Sequence, residues 1–295
     1  MKRIRHSRRL LLPITLLSLL FITQISAAGD FSKGILWEVT GQGSQPSYLL
    51  GTIHSDDPSV TTIPAPVEKV MSQVQSFTAE LDLDLGAMLE AQTQMMLPLD
   101  QDLKSIIGEQ RYIKAVELMA NYGMPEMIVS RMKPWAIAAQ LMMPKPTTGV
   151  FLDLKLFQQA QARGIPTYGL ETVAEQMGVF EKLTQQQQIT MLDRSLREHK
   201  NMPTMIKQLT QLYIQRDLAG LQRLSEEQMQ ETERSLADAM EKNLINDRNV
   251  RMADRMAVRF KEGNALVAVG ALHLPGDNGV LRLLQQRGYR LKAIY

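Results

Sequence analysis

The chain of 295 residues contains no cysteine. This absence excludes disulfide bonds and every kind of thiol chemistry. The folded state must therefore be stabilised by a hydrophobic core, and a chain of this length is long enough to bury one. Linkers rich in proline, glycine and serine are also absent from the sequence, so we expect one domain rather than two independent units.

Long hydrophobic runs are scarce as well. The run near the N-terminus covers residues 10–22, which is shorter than the ~20 residues needed to span a bilayer. Five basic residues precede it, and the small residues Ser26, Ala27 and Ala28 follow it. This order is typical of a cleaved signal peptide over residues 1–28. It predicts a periplasmic or secreted protein whose mature domain comprises residues 29–295 and has no stable membrane span.

The predicted mature chain also has no surplus of positive charge, although the full chain has a net charge of +2. Removal of the five basic residues of the signal leaves 28 Lys and Arg against 31 Asp and Glu, a net charge of −3. The mature protein therefore has no overall basic character of the kind that binds nucleic acid. We expect its partner to be a peptide or small-molecule substrate instead.

The pattern that is present alternates short strand-like runs with long helical stretches. The strand-like runs cover residues 35–39, 47–50, 76–83, 166–170, 265–269 and 289–294. Residues 86–162 and 171–262 have helical composition, and Thr172 with Glu175 forms a capping box at the start of a helix. The sequence predicts an α/β fold with a mixed central β-sheet and a large helical insertion.

Two of the four histidines occur in matching surroundings. An apolar strand leads to Gly51 and then His54, and another leads to Gly270 and then His273. Each is followed by an acidic, proline-containing loop and a helix, so the chain contains two strand–GxxH–loop–helix units. Glycine at a strand end can adopt unusual backbone angles or let another group approach closely. Because ligands bind beyond the carboxyl ends of strands in such sheets, the pair predicts one shared site.

Two imidazoles at one site are typical metal ligands. Glu80, on the polar face of the strand over residues 76–83, is the expected third ligand because a buried carboxylate needs a partner. Mn, Co and Zn all suit this ligand set, and the sequence does not choose among them. The chain has no HExxH motif, which excludes a helix-based zinc protease. It also has no GxSxG motif, which argues against a serine hydrolase of the α/β-hydrolase type.

The paired motifs resemble the TraB/GumN family over nearly all of residues 34–295. The matching segments are Leu50-Gly51-Thr52-Ile53-His54 and Val269-Gly270-Ala271-Leu272-His273-Leu274-Pro275-Gly276, with weaker matches at Gly169-Leu170-Glu171-Thr172, Glu175-Gln176, Arg248-Asn249 and Met252. The resemblance implies that His54, Glu80 and His273 are the metal or catalytic positions. It also implies that Glu171, Arg248 and Asn249 line the same cleft.

Relatives of that family suggest three functions, and the sequence leaves all three open. Tiki proteins are described as metal-dependent proteases, so the first hypothesis is a metal-dependent hydrolase that acts on peptides. Relatives that bind haem suggest a non-catalytic haem- or metal-binding protein, with methionine-rich helices as an apolar cover. Relatives that resemble erythromycin esterase suggest a metal-free hydrolase in which one histidine is the general base.

Individual roles follow for the remaining site residues. Glu171 follows a strand, and we expect it to orient a ligand histidine through its second ring nitrogen. Alternatively, Glu80 or Glu171 is the general base. Arg248 shares one helix face with Arg251, Arg255 and Arg259, which is either a solvated face or the start of a clamp for negative charge. Acids in the loop after His54 are available for proton transfer.

Overall fold

The computed structural model describes residues 31–41 and 45–295. The predicted signal peptide over residues 1–28 lies outside these residues, and the bounds of the mature domain stay a prediction. Residues 42–44, between the first and second strands, also lie outside them.

Six strands form one mixed sheet, and each lies within or beside a predicted run. They are β1 (Leu36–Thr40), β2 (Ser47–Thr52), β3 (Ser76–Leu81), β4 (Thr167–Glu171), β5 (Ala265–Gly270) and β6 (Arg290–Ala293). Their order across the sheet is β4-β3-β5-β2-β1-β6. The four strands β4, β3, β5 and β2 are parallel, whereas β1 runs antiparallel to both β2 and β6. The predicted α/β class with a mixed sheet is confirmed.

This order brings four strand ends to one edge of the sheet. The chain passes from β2 to β3 and returns from β4 to β5, so that β5 lies between β2 and β3. Since parallel strands point the same way, the carboxyl ends of β2, β3, β4 and β5 lie side by side. Ligand sites in open α/β sheets occur at such an edge.

The helices lie in short and in long connections between the strands. The short connections contain α1 (Pro58–Thr61) and α2 (Ala65–Gln73) after β2, and α15 (Val280–Gln286) after β5. Between β3 and β4 lie α3 (Leu85–Gln94), α4 (Leu103–Ile107), α5 (Glu109–Ala120), α6 (Glu126–Val129), α7 (Pro134–Met142) and α8 (Leu152–Ala162). Between β4 and β5 lie α9 (Val173–Glu181), α10 (Gln185–Glu198), α11 (Met202–Ile214), α12 (Leu218–Gln230), α13 (Arg234–Met240), a π-helical segment (Glu241–Asn246) and α14 (Asp247–Glu262).

The buried apolar side chains form two clusters. The first contains both faces of the sheet together with α2, α8, α14 and α15, and residues 266–269 of β5 are buried in it. The second lies in the helical insertion and surrounds the fully buried Trp135 of α7. The predicted helical insertion therefore has its own core.

Local sequence signals explain where the helix after β4 begins. The Thr172 side chain accepts a hydrogen bond from the Glu175 backbone N–H, and the Glu175 side chain accepts one from the Thr172 N–H. The predicted capping box is present. Within residues 31–41 and 45–295, no helix has both the length and the apolar character that a membrane span requires.

Candidate functional site

The two GxxH segments lie on neighbouring strands but leave the sheet differently. Gly51 is paired with Val269 and Thr52 with Gly270. After Thr52 the chain continues to His54, whose side chain is 48% exposed. After Gly270 it turns into a 3₁₀-helix, Ala271–His273, and the His273 side chain is only 7% exposed. The matching motifs therefore place one histidine in a buried position and the other at the surface of the same edge.

Neither motif glycine adopts the left-handed backbone angles that favour glycine, and Gly51 is required for close packing. Gly270 has a φ of −53°, and Gly51 is not among the glycines with positive φ. A Cβ atom at Gly51 would lie 2.7 Å from Leu274 Cδ1 and 3.2 Å from Ala271 Cβ. Because the 3₁₀-helix after β5 approaches so closely, a side chain at Gly51 would force its neighbours to shift. Of the two expected reasons for these glycines, the structure supports close approach.

We expect Gly51→Ala to lower the free energy of unfolding by about 1–3 kcal/mol, because an added methyl group overpacks a filled site. Urea denaturation monitored by circular dichroism would measure the change. Gly178→Ala is the matched control, since Gly178 lies within α9 and has open space where a Cβ would be. There alanine should stabilise the helix by roughly 0.5–1 kcal/mol. Equal midpoints for Gly51→Ala and the unsubstituted protein would contradict the packing argument.

A cavity of about 460 Å³ opens at this edge of the sheet. Its wall includes His54, Glu80, Arg248 and His273, so the structure brings the three expected metal ligands and the arginine together. Asn249 belongs to the wall of a second cavity of about 550 Å³, which neither histidine lines. Neither Glu171 nor Asn249 is part of the first cavity's wall. Both lie behind it, in contact with residues that are.

Arg248 connects the acidic and imidazole groups of the site. Its Nη2 donates hydrogen bonds to Glu80 Oε2 at 2.6 Å and to Glu171 Oε2 at 2.7 Å. Its Nε also donates to Glu171 Oε2, at 2.9 Å, and its Nη1 lies 3.3 Å from His273 Nε2. The Arg248 side chain is 6% exposed, so its charge is neutralised by two buried carboxylates rather than by water. The sequence left two interpretations of the arginine face, a solvated surface or a clamp for negative charge. The contacts of Arg248 agree with the clamp.

The Glu171 carboxylate contacts guanidinium groups and not an imidazole. Arg251 Nε donates to Glu171 Oε1 at 3.0 Å, and both oxygens are thereby occupied by arginines. The expectation that Glu171 orients a histidine is therefore wrong, and the carboxylate positions Arg248 instead. Farther along α14, Arg255 pairs with the partly exposed Glu175, and Arg259 lies over the Tyr168 ring.

Each histidine has its Nδ1 atom held by an oxygen. His54 Nδ1 lies 3.1 Å from Asp153 Oδ2, and Thr52 Oγ1 donates to Asp153 Oδ1 at 2.6 Å. His273 Nδ1 lies 2.6 Å from Asn249 Oδ1. Anchoring at Nδ1 is the usual pattern of metal-ligating histidine, although His273 Nε2 already faces Arg248 Nη1.

Asp153 is the site residue that sequence reasoning missed. It lies in the first turn of α8 and is 3% exposed. The available signal was its spacing, because Leu156 and Phe157 follow three and four positions later and are buried on the same helix face. A carboxylate on a buried face needs a partner, and here the partners are Thr52 and His54.

The site holds its two imidazoles in opposite charge states near neutral pH. The charge of Asp153 raises the pKa of His54 to about 9. Burial lowers the pKa of His273 to about 4, with Arg248 adding to the effect. Burial alone would raise the pKa of Glu80, but His273, Arg248, His54 and the Gly270 N–H outweigh it and lower the pKa to about 2. Glu80 is therefore ionised, His54 protonated and His273 neutral.

A histidine titration by NMR in a chelating buffer would test these states. We expect His54 to titrate near pH 9 and His273 near pH 4. The charged form of His54 therefore stabilises the fold below its ordinary pKa of 6.5, and this contribution is lost as the pH rises through about 9. Neutral His273 stabilises the fold above 6.5, and this contribution is lost as the pH falls through about 4.

Asp153→Asn should return the pKa of His54 toward 6.5, because the charge of Asp153 is the main cause of its shift. The pKa of His273 should change much less, since burial, Glu80, Arg248 and Glu171 all affect it more than the charge of His54 does. A His54 resonance whose titration is the same in both proteins would contradict the assigned pair.

The donor types at the site suit a divalent ion, although the side chains are arranged around Arg248. His273 Nε2 lies 3.8 Å from Glu80 Oε1, which accepts one hydrogen bond, from Gly270 N at 2.7 Å. Within the described residues, no three His, Asp or Glu side chains already form an ion-holding group. Two anchored imidazoles beside an ionised carboxylate are nonetheless a chemically fitting donor set. An ion there would share Glu80 and His273 with the guanidinium of Arg248.

The acids after His54 have structural partners. Asp56 Oδ2 accepts hydrogen bonds from the backbone N–H groups of Thr147 and Thr148, both at 2.6 Å, and of Gly149 at 3.1 Å. Asp57 caps helix α1. The expectation that these acids transfer protons is therefore replaced by a structural role: Asp56 fixes the loop before α8.

Comparison with known proteins agrees with the motif resemblance. The profile of the TraB/PrgY/gumN family matches residues 35–293. The uncharacterised protein YbaP of Shigella flexneri is 23% identical over 255 residues, which cover 84% of this chain and 91% of YbaP. The metalloprotease TIKI2 of Danio rerio is 24% identical over 84% of this chain and 58% of its own length. No solved structure matches. With the family profile spanning both GxxH segments and the whole sheet, the chain belongs to the TraB/PrgY/gumN family.

Proposed function

We propose that this protein is an exported metal-dependent hydrolase that cleaves peptide bonds. The observation that carries the proposal is the group at one end of the cavity: two imidazoles with anchored Nδ1 atoms, an ionised carboxylate and a buried guanidinium. Perturbed ionisable groups that converge in a cavity are typical of catalytic sites. The similarity to a protein named as a metalloprotease supports the reaction class.

In this proposal His54, Glu80 and His273 hold one divalent ion, with Mn, Co and Zn as the expected identities. When bound, such an ion polarises the carbonyl and lowers the pKa of a water molecule. Binding at His54 must also displace a proton, because the pKa of that imidazole is raised to about 9. We therefore expect the affinity for the ion to increase with pH between neutrality and about 9.

The other residues have supporting roles that follow from their contacts. Arg248 presents its guanidinium to the cavity and would stabilise negative charge that develops on the carbonyl oxygen. Glu171 fixes that guanidinium from behind. Asp153 and Asn249 hold the rings of His54 and His273. Hydrolysis adds one water across the C–N bond, with OH going to the carbonyl carbon and the proton to the leaving amine.

A metal-free hydrolase is the second candidate, and one observation favours it. The Arg248 guanidinium already contacts Glu80 and His273. It therefore supplies positive charge at the position where a metal ion would supply it. In that arrangement His54 is a protonated imidazole that can donate its Nε2 proton to the leaving group. Two imidazoles with widely separated pKa values suit an acid and a base at one site.

A cleavage assay on residues 29–295 distinguishes these candidates. The protein is stripped with chelator and incubated with a peptide library and with acyl esters, alone and with Mn, Co or Zn. Cleavage that requires an ion and is lost in Glu80→Gln supports the metal-dependent hydrolase. Cleavage without an ion supports the second candidate. Tight haem binding through the same histidines with no turnover would contradict both and favour a binding protein.

Export is a separate part of the proposal and rests on the order of basic, apolar and small residues at the N-terminus. Mass spectrometry of the protein recovered from its host should find a mature N-terminus near Gly29. Cell fractionation should place it outside the cytoplasm. Recovery of the chain with Met1 intact from the cytoplasm would contradict export without affecting the proposed chemistry.

A further inference from the structure

We infer that the substrate carries a large neutral apolar group next to the hydrolysed carbonyl, and that the cavity beside the two histidines binds this group. The inference deepens the proposed function and rests on it for the reaction. Its own basis is the distribution of polar and apolar side chains around the cavity. It concerns which compounds bind, a property that can be measured apart from turnover.

The charged side chains of the cavity wall are concentrated at one end. They are His54, Glu80, His273 and Arg248, next to the carboxyl ends of the strands. The rest of the wall, as far as the described residues show it, has no charged side chain, and its apolar members include Trp135, Met142, Met143, Phe180, Ile206 and Leu209. A carbonyl placed at the charged end would thus direct its substituent along an apolar surface. A charged substituent would lose its hydration there without gaining a partner.

The aromatic part of the wall offers no free polar group to a ligand. The Trp135 and Phe180 rings are stacked, with centroids 4.8 Å apart and planes 5° apart. Trp135 Nε1 already donates to Glu181 Oε1 at 2.8 Å. The Tyr213 hydroxyl, also in the wall, donates to the Gly51 carbonyl at 3.0 Å. These polar atoms are engaged within the protein, so the aromatic part of the wall is apolar.

The size of the cavity indicates a large group. A dry apolar cavity of about 150 Å³ holds a benzene molecule, and this one has about 460 Å³. It therefore has room for an aromatic or long aliphatic group together with the atoms that join it to the carbonyl. Methionines at positions 142 and 143 are flexible, which suits several apolar shapes rather than a single one.

Two sources supply this chemistry: a peptide with an aromatic or branched aliphatic side chain, and an ester of a fatty acid. Both compounds place a neutral apolar group beside a hydrolysable carbonyl, so the cavity would bind either. The hydrolysis experiment below compares peptides with esters and thereby distinguishes the two sources.

Binding is measured first, with neutral ketones that cannot be hydrolysed. The probes are 2-butanone, 2-hexanone and 2-octanone, and 7-oxooctanoate is the analogue of 2-octanone with a carboxylate at its far end. The chain has two tryptophans, so Trp37→Phe leaves Trp135 in the cavity wall as the fluorescence reporter. We expect affinity to rise about fourfold per added methylene, and 7-oxooctanoate to bind at least about tenfold more weakly than 2-octanone.

Variants of α11 locate the binding surface. Ile206 is a partly buried residue of the cavity wall, whereas Gln208 is exposed on the same helix and is not in that wall. Ile206→Asp should weaken 2-octanone binding at least about tenfold. Ile206→Asn introduces a side chain of the same size as Asp but without charge, and it should weaken binding less. Gln208→Asp adds the same charge outside the cavity and should leave binding unchanged. Circular dichroism confirms that each variant is folded.

Hydrolysis is then measured on N-acetyl peptides that carry Leu, Phe, Lys or Asp at the residue whose carbonyl is cleaved, and on acyl esters of increasing length. Preference for Leu and Phe identifies the peptide source, and preference for longer esters identifies the acyl source; either supports the inference. Ketone binding as described without any turnover overturns the proposed hydrolase but leaves the apolar site in place. Turnover with equal rates for Leu, Lys and Asp, and ketone affinities independent of chain length, overturns the inference while the hydrolase stands.

Discussion

Arg248→Met should lower the free energy of unfolding by about 3–5 kcal/mol, because it removes one partner of a buried ion pair and leaves charge without compensation. The side chains of Glu171 and Glu80 are 0% and 9% exposed, so water cannot replace the guanidinium. Urea denaturation with two independent probes would measure the loss. Methionine fills most of the volume of the arginine stem, which separates the effect of charge from that of a cavity.

Arg255→Met on the same helix is the matched control. Its partner is Glu175, and both side chains are partly exposed, at 43% and 32%. A pair of this kind contributes only about 0–1 kcal/mol. Adding Glu80→Gln to Arg248→Met should recover part of the lost stability, because Glu171 keeps its pair with Arg251 whereas Glu80 is the carboxylate that loses its guanidinium partner. A loss for Arg248→Met no larger than that for Arg255→Met would show that the buried cluster is not a stabilising network.

The largest kinetic effects are expected at the two histidines of the GxxH segments. His54→Ala and His273→Ala should each reduce turnover of a cleaved peptide by about 10²- to 10⁴-fold, the usual contribution of a positioned acid, base or electrostatic group. In the metal-dependent form of the proposal, each variant should also retain less metal than the unsubstituted protein after dialysis. Turnover is measured by peptide release and metal content by elemental analysis.

His199→Ala is the control for these variants. His199 is also partly buried, but its ring lies near Tyr122 and the Leu141 carbonyl in the helical insertion and is not part of the cavity wall. It should retain full turnover and full metal content. If His54→Ala or His273→Ala hydrolysed peptides at the rate of His199→Ala, the edge of the sheet would not be the catalytic site.

Much of the fold was predictable because the strands have strong local patterns. The continuous apolar run over residues 265–269 identified a strand buried on both faces, and the repeated GxxH motif identified neighbouring strands with a common edge. The resemblance of these motifs to a family added Glu171, Arg248 and Asn249, which the patterns alone did not single out. Their places in the site were less well predicted, since Glu171 and Asn249 support other groups from behind the cavity wall.

The sequence by itself determined the strands, the helical insertion, the family and the approach of two histidines and Glu80 to one edge of the sheet. Only the tertiary structure decided their partners, because the contacts join residues far apart in the chain. Arg248 meets Glu171 across 77 positions and Glu80 across 168, and His54 meets Asp153 across 99. Burial and these contacts then set the charges of the two imidazoles in opposite directions. Local patterns encode which face a side chain occupies, whereas the neighbours on that face depend on how distant segments pack.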